Sequence, residues 1–154
     1  MLHARARWNS TAILSLGIVL SILTAPLLQA KASSGEAMTF PRQVLAWYLA
    51  GDSERVWAHA GLMMREMWEN PNGLRGAAAE ISTTMGSETG VLGEQLFDHP
   101  EGGGAQVYVR AARHSEVPEI FWIVIFLPAD KKVQMIMPQP RQTIRTLFPQ
   151  VKLP

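Results

Sequence analysis

The chain is 154 residues long with 14 Lys and Arg against 13 Asp and Glu, no cysteine and 47% hydrophobic residues, a size that allows one domain. A net charge of +1 with no basic block speaks against a nucleic-acid partner. The missing cysteines exclude a disulfide framework, a thiolate nucleophile and a Cys-ligated zinc or iron–sulfur cluster.

The near-neutral total averages two unlike pieces. His3, Arg5 and Arg7 precede an apolar stretch from Ala12 to Leu28, and no charged residue follows Arg7 until Lys31. Small residues at Leu28-Gln29-Ala30 and Ala30-Lys31-Ala32 suit signal peptidase, so residues 1–32 read as a signal peptide cut after Ala30 or Ala32. The alternative is an uncleaved anchor in the inner membrane, since the stretch is almost long enough to span a bilayer. Without Cys there is no lipid attachment. Removing residues 1–32 leaves 11 basic and 13 acidic residues on a domain of about 122 residues. The expected home is the periplasm or the extracellular space, with the membrane met only through the segment before cleavage.

Residues 33–38 are small and polar and read as a disordered leader. Pro41 stands in the first turn of a helix that begins at Thr39 or Phe40, where its missing N–H costs nothing. Phe40, Val44, Trp47 and Tyr48 form one face of that helix and Gly51 stops it. Asp52 or Ser53 caps a short helix ending at Gly61, Leu62 to Trp68 adds a further turn or two, and Asn72 is taken to cap a helix running to Met85. After Gly90 the period changes to two. Strands are expected over Val91–Asp98, Ala105–His114, Glu119–Leu127 and Val133–Met137, with Pro138 ending the last. In the second, Ala105, Val107, Val109 and Ala111 share one face, and Gln106, Tyr108, Arg110, Ala112 and His114 the other. The third is apolar on both faces, a central strand covered on both sides or buried in a dimer. Helices followed by a four-stranded antiparallel meander describe an α+β fold with the helices on one face of the sheet. The tail, residues 139–154, either docks across the sheet or trails away.

The run from Ala46 to Trp57, a helix ending in Gly51-Asp52 and followed by a short helix with an aromatic, resembles the opening of nuclear-transport-factor-2-like (cystatin-like) domains. The helix ending in Met85-Gly86, the meander and the stretch Asp130 to Pro138 are similar to small exported bacterial members of unknown function. The resemblance covers about residues 40–138. It implies a curved sheet wrapped around helices as a cone whose mouth holds an apolar ligand. Members include isomerases, cyclases, dehydratases and plain binding or dimerisation modules, so the fold leaves function open.

No catalytic motif stands out. Gly86-Ser87-Glu88-Thr89-Gly90 has Glu where a nucleophile elbow has Ser, and Gly102-Gly103-Gly104 lies between strands, not before a helix that could hold phosphate. His59 reads as a solvent-facing or capping residue. Asp98, His99 and Glu101 crowd one turn in a spacing that does not converge on a metal, so neither metal nor cofactor is expected. Glu94, Arg110 and His114, with Tyr108, could form an acid/base cluster if their face is the concave one. The simpler reading is a solvated outer face with Glu and Arg paired across strands. Trp57, Trp68, Tyr108 and Trp122 are the candidate lining of an apolar pocket, beside the plainer possibility that they are core. The expectation is thus a non-catalytic module for an apolar small molecule or a protein partner, with a homodimer through the sheet. The alternative is an isomerase- or lyase-type enzyme.

Overall fold

In the computed structural model, which describes residues 34–153, five helices precede a four-stranded antiparallel sheet and a sixth follows it. The expected signal segment lies outside the described residues. The leader expected to be disordered instead contributes a single helical turn, α1 (Ser34–Ala37), set directly against α2 (Thr39–Leu49). Asp52 caps α3 (Ser53–Ala58) by accepting from the Arg55 amide. A fourth helix, α4 (Leu62–Trp68), leads into α5 (Pro71–Met85). Its cap is Asn70, not Asn72: the Asn70 side chain accepts from the amides of Asn72 and Gly73, and Pro71 fills the first position where no donor is needed. Gly86 ends α5 at φ 73°, and a side chain there would collide with Ser115.

The strands β1 (Glu88–Asp98), β2 (Gln106–His114), β3 (Ile120–Leu127) and β4 (Lys132–Gln139) lie side by side in chain order. Strand β1 begins three residues earlier than the change of period suggested, and bulges near Gly90 and Val91 take up the extra chain. Strand β4 runs through Pro138, opposite Trp122, because an edge strand tolerates a residue that cannot donate to the ladder.

Each face of the sheet has its own core. On the helix side Tyr108, Ala112, Ile120, Trp122, Val124 and Phe126 pack against Val44, Leu45, Tyr48, Val56, Met64 and Leu74. On the other side Val107, Val109, Phe121 and Ile123 are covered by Ile144 of α6 (Arg141–Leu147), by Phe148 and by the tail. Full burial of such side chains is worth roughly 1.5–3 kcal/mol each. The tail therefore docks. Gln95 clasps it, donating to the Gln150 carbonyl at 3.3 Å and accepting from the Lys152 amide at 2.9 Å. The sheet face turned away from the helices is thereby covered by the chain's own last segment. Among the described residues no helix is long and apolar enough to cross a membrane.

Candidate functional site

Strand β2 turns Tyr108, Arg110 and His114 toward the helices, and the antiparallel register sets Glu94 opposite Arg110. This overturns the solvated outer face: the side chains point into the space between sheet and helices, and Glu94 and Arg110 are each only 18% exposed. The cross-strand pairing of Glu and Arg is present, with Arg110 Nη1 at 3.7 Å from Glu94 Oε1.

Two further charges complete a ladder. From α2, Arg42 donates to Glu94 Oε2 through Nε at 2.9 Å and Nη2 at 2.6 Å, while the Tyr108 hydroxyl donates to Glu94 Oε1. At the other end Arg110 donates through Nη2 to Glu88 Oε1. Arg42, Glu94, Arg110 and Glu88 thus alternate in sign. Burial works against a charge on Glu94, but the donors Arg42 and Tyr108 and the positive charges of Arg42 and Arg110 outweigh it and hold its carboxyl below the ordinary glutamate value. Burial, reinforced by the neighbouring Glu94 carboxylate, pushes the Tyr108 phenol upward. Arg110 is also held protonated: burial opposes its charge, and Glu88 and Tyr108 more than offset that. Two polar atoms at one end of the ladder have no partner. Glu88 Oε2 and Arg110 Nε are buried without a hydrogen-bond partner.

His114, the register partner of Glu88, makes its own contacts. Its Nε2 is 3.0 Å from the Trp122 indole Nε1 and its Nδ1 is 3.0 Å from the Gly86 carbonyl. The indole can only donate and the carbonyl can only accept, so the proton sits on Nδ1 and both ring nitrogens are engaged. His114 thereby ties the end of α5 to β2 and β3. Of the proposed acid/base set, Glu94, Arg110 and Tyr108 meet, and His114 serves a different junction.

Two cavities flank the ladder. An open groove of about 1040 Å³ lies where α1 and the start of α2 meet the ends of β1 and β2, with Phe40, Leu96 and Phe126 among its apolar lining and Glu36, Asp98 and Lys131 among its charged residues. A narrower cleft of about 130 Å³ lies between α2, the end of α5 and the start of β1, and is bordered by Tyr48, Glu88, His114 and Trp122. Burial pushes the Tyr48 phenol up to about 12.

The aromatic set expected to line one pocket is dispersed. Trp122 borders the cleft, whereas Trp57, Trp68 and Tyr108 border neither cavity. Trp57 lies under the Arg65 guanidinium at 4.9 Å, and Trp68 packs at the margin of the helix-side core. His59 stacks on Trp47 and contacts Phe40 edge-on. Among the described residues no group of three His, Cys, Asp or Glu side chains is placed to hold a metal ion.

Sequence reasoning missed Arg42 and Glu88. Arg42 lies off the apolar face of its helix and 52 residues from Glu94, so only the tertiary fold reveals the pair. Glu88 had a usable signal, since a strand starting at residue 88 instead of 91 would have placed it on the face of His114. Comparison with protein families, curated proteins and solved structures returns no match for the chain.

Proposed function

We propose that this is an exported, non-catalytic domain of the nuclear-transport-factor-2-like type that holds an apolar small molecule in the groove at the open end of its sheet. The observation that carries the reading is the groove itself, a large concavity whose apolar lining of Phe40, Leu96 and Phe126 meets a few charged residues. Support for a cone comes from the bulges in β1 and at Ile125/Phe126, which bend strands, and from the helices gathered on one face. Export rests on residues 1–32, with cleavage after Ala30 or Ala32 and release into the periplasm or beyond.

The enzymatic alternative has less behind it. A general base needs a free lone pair and an affinity for protons near that of its substrate. Glu94 has both oxygens occupied by donors and is held ionised, and both nitrogens of His114 are engaged.

The test is native mass spectrometry of protein expressed as the full chain in an exporting host. The expected spectrum begins at Lys31 or Ser33 and carries an apolar adduct that Leu96→Glu abolishes. A mass beginning at Met1 would contradict cleavage. A bare wild-type protein, or an adduct indifferent to Leu96→Glu, would contradict the groove.

A further inference from the structure

The two sides of α4 are unlike. Met64 is buried and Trp68 packs at the margin of the helix-side core, whereas Leu62, Met63 and Met67 are 71%, 48% and 48% exposed. Among the described residues the large apolar side chains left exposed are these three, Val91 and Leu147, so most of them lie on this one helix. Their spacing gathers them: Leu62, Met63, Glu66 and Met67 share one side of α4. Two methionines one turn apart beside a leucine make a polarizable and adaptable surface, and exposed apolar patches of this kind mark interaction sites.

Charge decides which partner suits it. Glu66 and Glu69 are exposed beside the patch, and the ion pairs of the described residues engage other carboxylates. Both stand at the C-terminal end of α4, the negative end of its dipole, where a carboxylate is unfavourable and a cation is favoured. The one basic residue of the helix, Arg65, does not answer them: it donates to the Ala60 and Trp57 carbonyls and lies over the Trp57 ring. On the elements packed against α4, Lys132 donates to the Ala58 carbonyl, and Arg75 reaches Asn72 and Glu54. A second α4 or an anionic membrane would set like charges against Glu66 and Glu69.

We propose that this side of α4 docks an amphipathic helix of a partner protein, one with Lys or Arg flanking its apolar stripe. The stripe packs among Leu62, Met63 and Met67, and the flanking cations meet Glu66 and Glu69. A face about two turns long belongs to the small end of specific interfaces, so the contact is weak and reversible. None of these residues lines the groove or the cleft, so docking on α4 and binding in the groove stand or fall separately.

The probe is a synthetic amphipathic peptide of leucine and lysine, about four helical turns long, with a counterpart carrying glutamate for lysine as control. Titrated into the full-length expressed protein and followed by ¹H–¹³C NMR, it should give saturable shifts at the methyl groups of Leu62, Met63 and Met67. The glutamate peptide should bind at least about tenfold more weakly. Glu66→Lys combined with Glu69→Lys should reverse that preference, in a protein that still folds because cations suit this end of the helix. Leu62→Ser removes exposed apolar surface alone and should weaken the lysine peptide by at least about tenfold. The proposal is overturned by the absence of saturable shifts at these methyls, by equal binding of the two peptides, by a double variant that keeps the parent's preference, or by Leu62→Ser binding as the parent does. Shifts of the same methyls on concentrating the protein alone, or on adding phosphatidylglycerol vesicles while the peptide is silent, would give this side of α4 to a second copy or to a membrane and overturn it equally.

Discussion

Along β2, Tyr108, Arg110 and Ala112 alternate with Val107, Val109 and Ala111, so one strand serves two interiors of different character. The interior beneath the helices holds four alternating charges, a buried histidine, and the Leu96, Phe126 and Trp122 that line parts of the two cavities. The interior beneath the tail is hydrocarbon, with Arg141 and Glu119 paired at its margin and the Gln95 clasp at its far end. The contrast follows from the covers. Five helices, two of them capped by Asp52 and Asn70, bring Arg42 and the end of α5 to separate points on the sheet, whereas a single short helix and the irregular segment after it offer mainly apolar contact. The four-residue charge network is therefore confined to the helix-covered face.

That division is best broken from the tail side. Ending the chain after Gln139 would uncover Phe121, Ile123, Val107 and Val109 together, and the loss should exceed the roughly 3–5 kcal/mol of a single Phe→Ala core truncation. Urea unfolding checks this, and a midpoint near that of the parent would show that the tail is dispensable. On the helix side Glu94→Ala leaves Arg42, Tyr108 and Arg110 without their shared acceptor, at an expected cost of roughly 3 kcal/mol.

The same network sets a pH dependence. The Glu94 carboxyl lies below its ordinary value of 4.5 in the fold, so its contribution is whole above that value and is lost as pH falls through the depressed one. The stability gap between parent and Glu94→Gln should narrow on acidification from neutral pH toward 3. A gap that stays constant would mean that Glu94 does not supply it.

Smaller effects sharpen the comparison. His114→Phe keeps the bulk but leaves the Trp122 N–H and the Gly86 carbonyl unpaired, at about 2 kcal/mol by chemical denaturation. Gln95→Leu removes only the clasp on the tail and should cost about 1 kcal/mol, with faster amide exchange confined to residues near Lys152.

How much of this was legible in the sequence also divides along the two faces. Alternation in β2 and the unbroken apolar run of β3 give the meander and its two-sided burial, because strand periodicity is local information. Glu94 and Arg110 could be placed on neighbouring strands for the same reason. Whether their face looked outward or inward was not legible, since alternation alone does not tell which side the helices cover. The solvated face was the wrong choice for that reason. Arg42 is a sharper case: its partner lies on another element, and a charged residue beside an apolar helical stripe reads as exposed until the helix is docked. The dispersal of Trp57, Trp68 and Trp122 follows from the same limit, for a large aromatic residue fills core as readily as it lines a pocket.

The claim that ligand recognition belongs to the helix-covered side is tested most directly by mapping where an apolar molecule lands. Titrating the protein with 1-octanol under ¹H–¹³C NMR should shift Thr39, Leu96 and Phe126, which line the groove, and leave Val109 and Ile123 beneath the tail unmoved. Saturable shifts at Val109 and Ile123 with Leu96 and Phe126 silent would contradict the account.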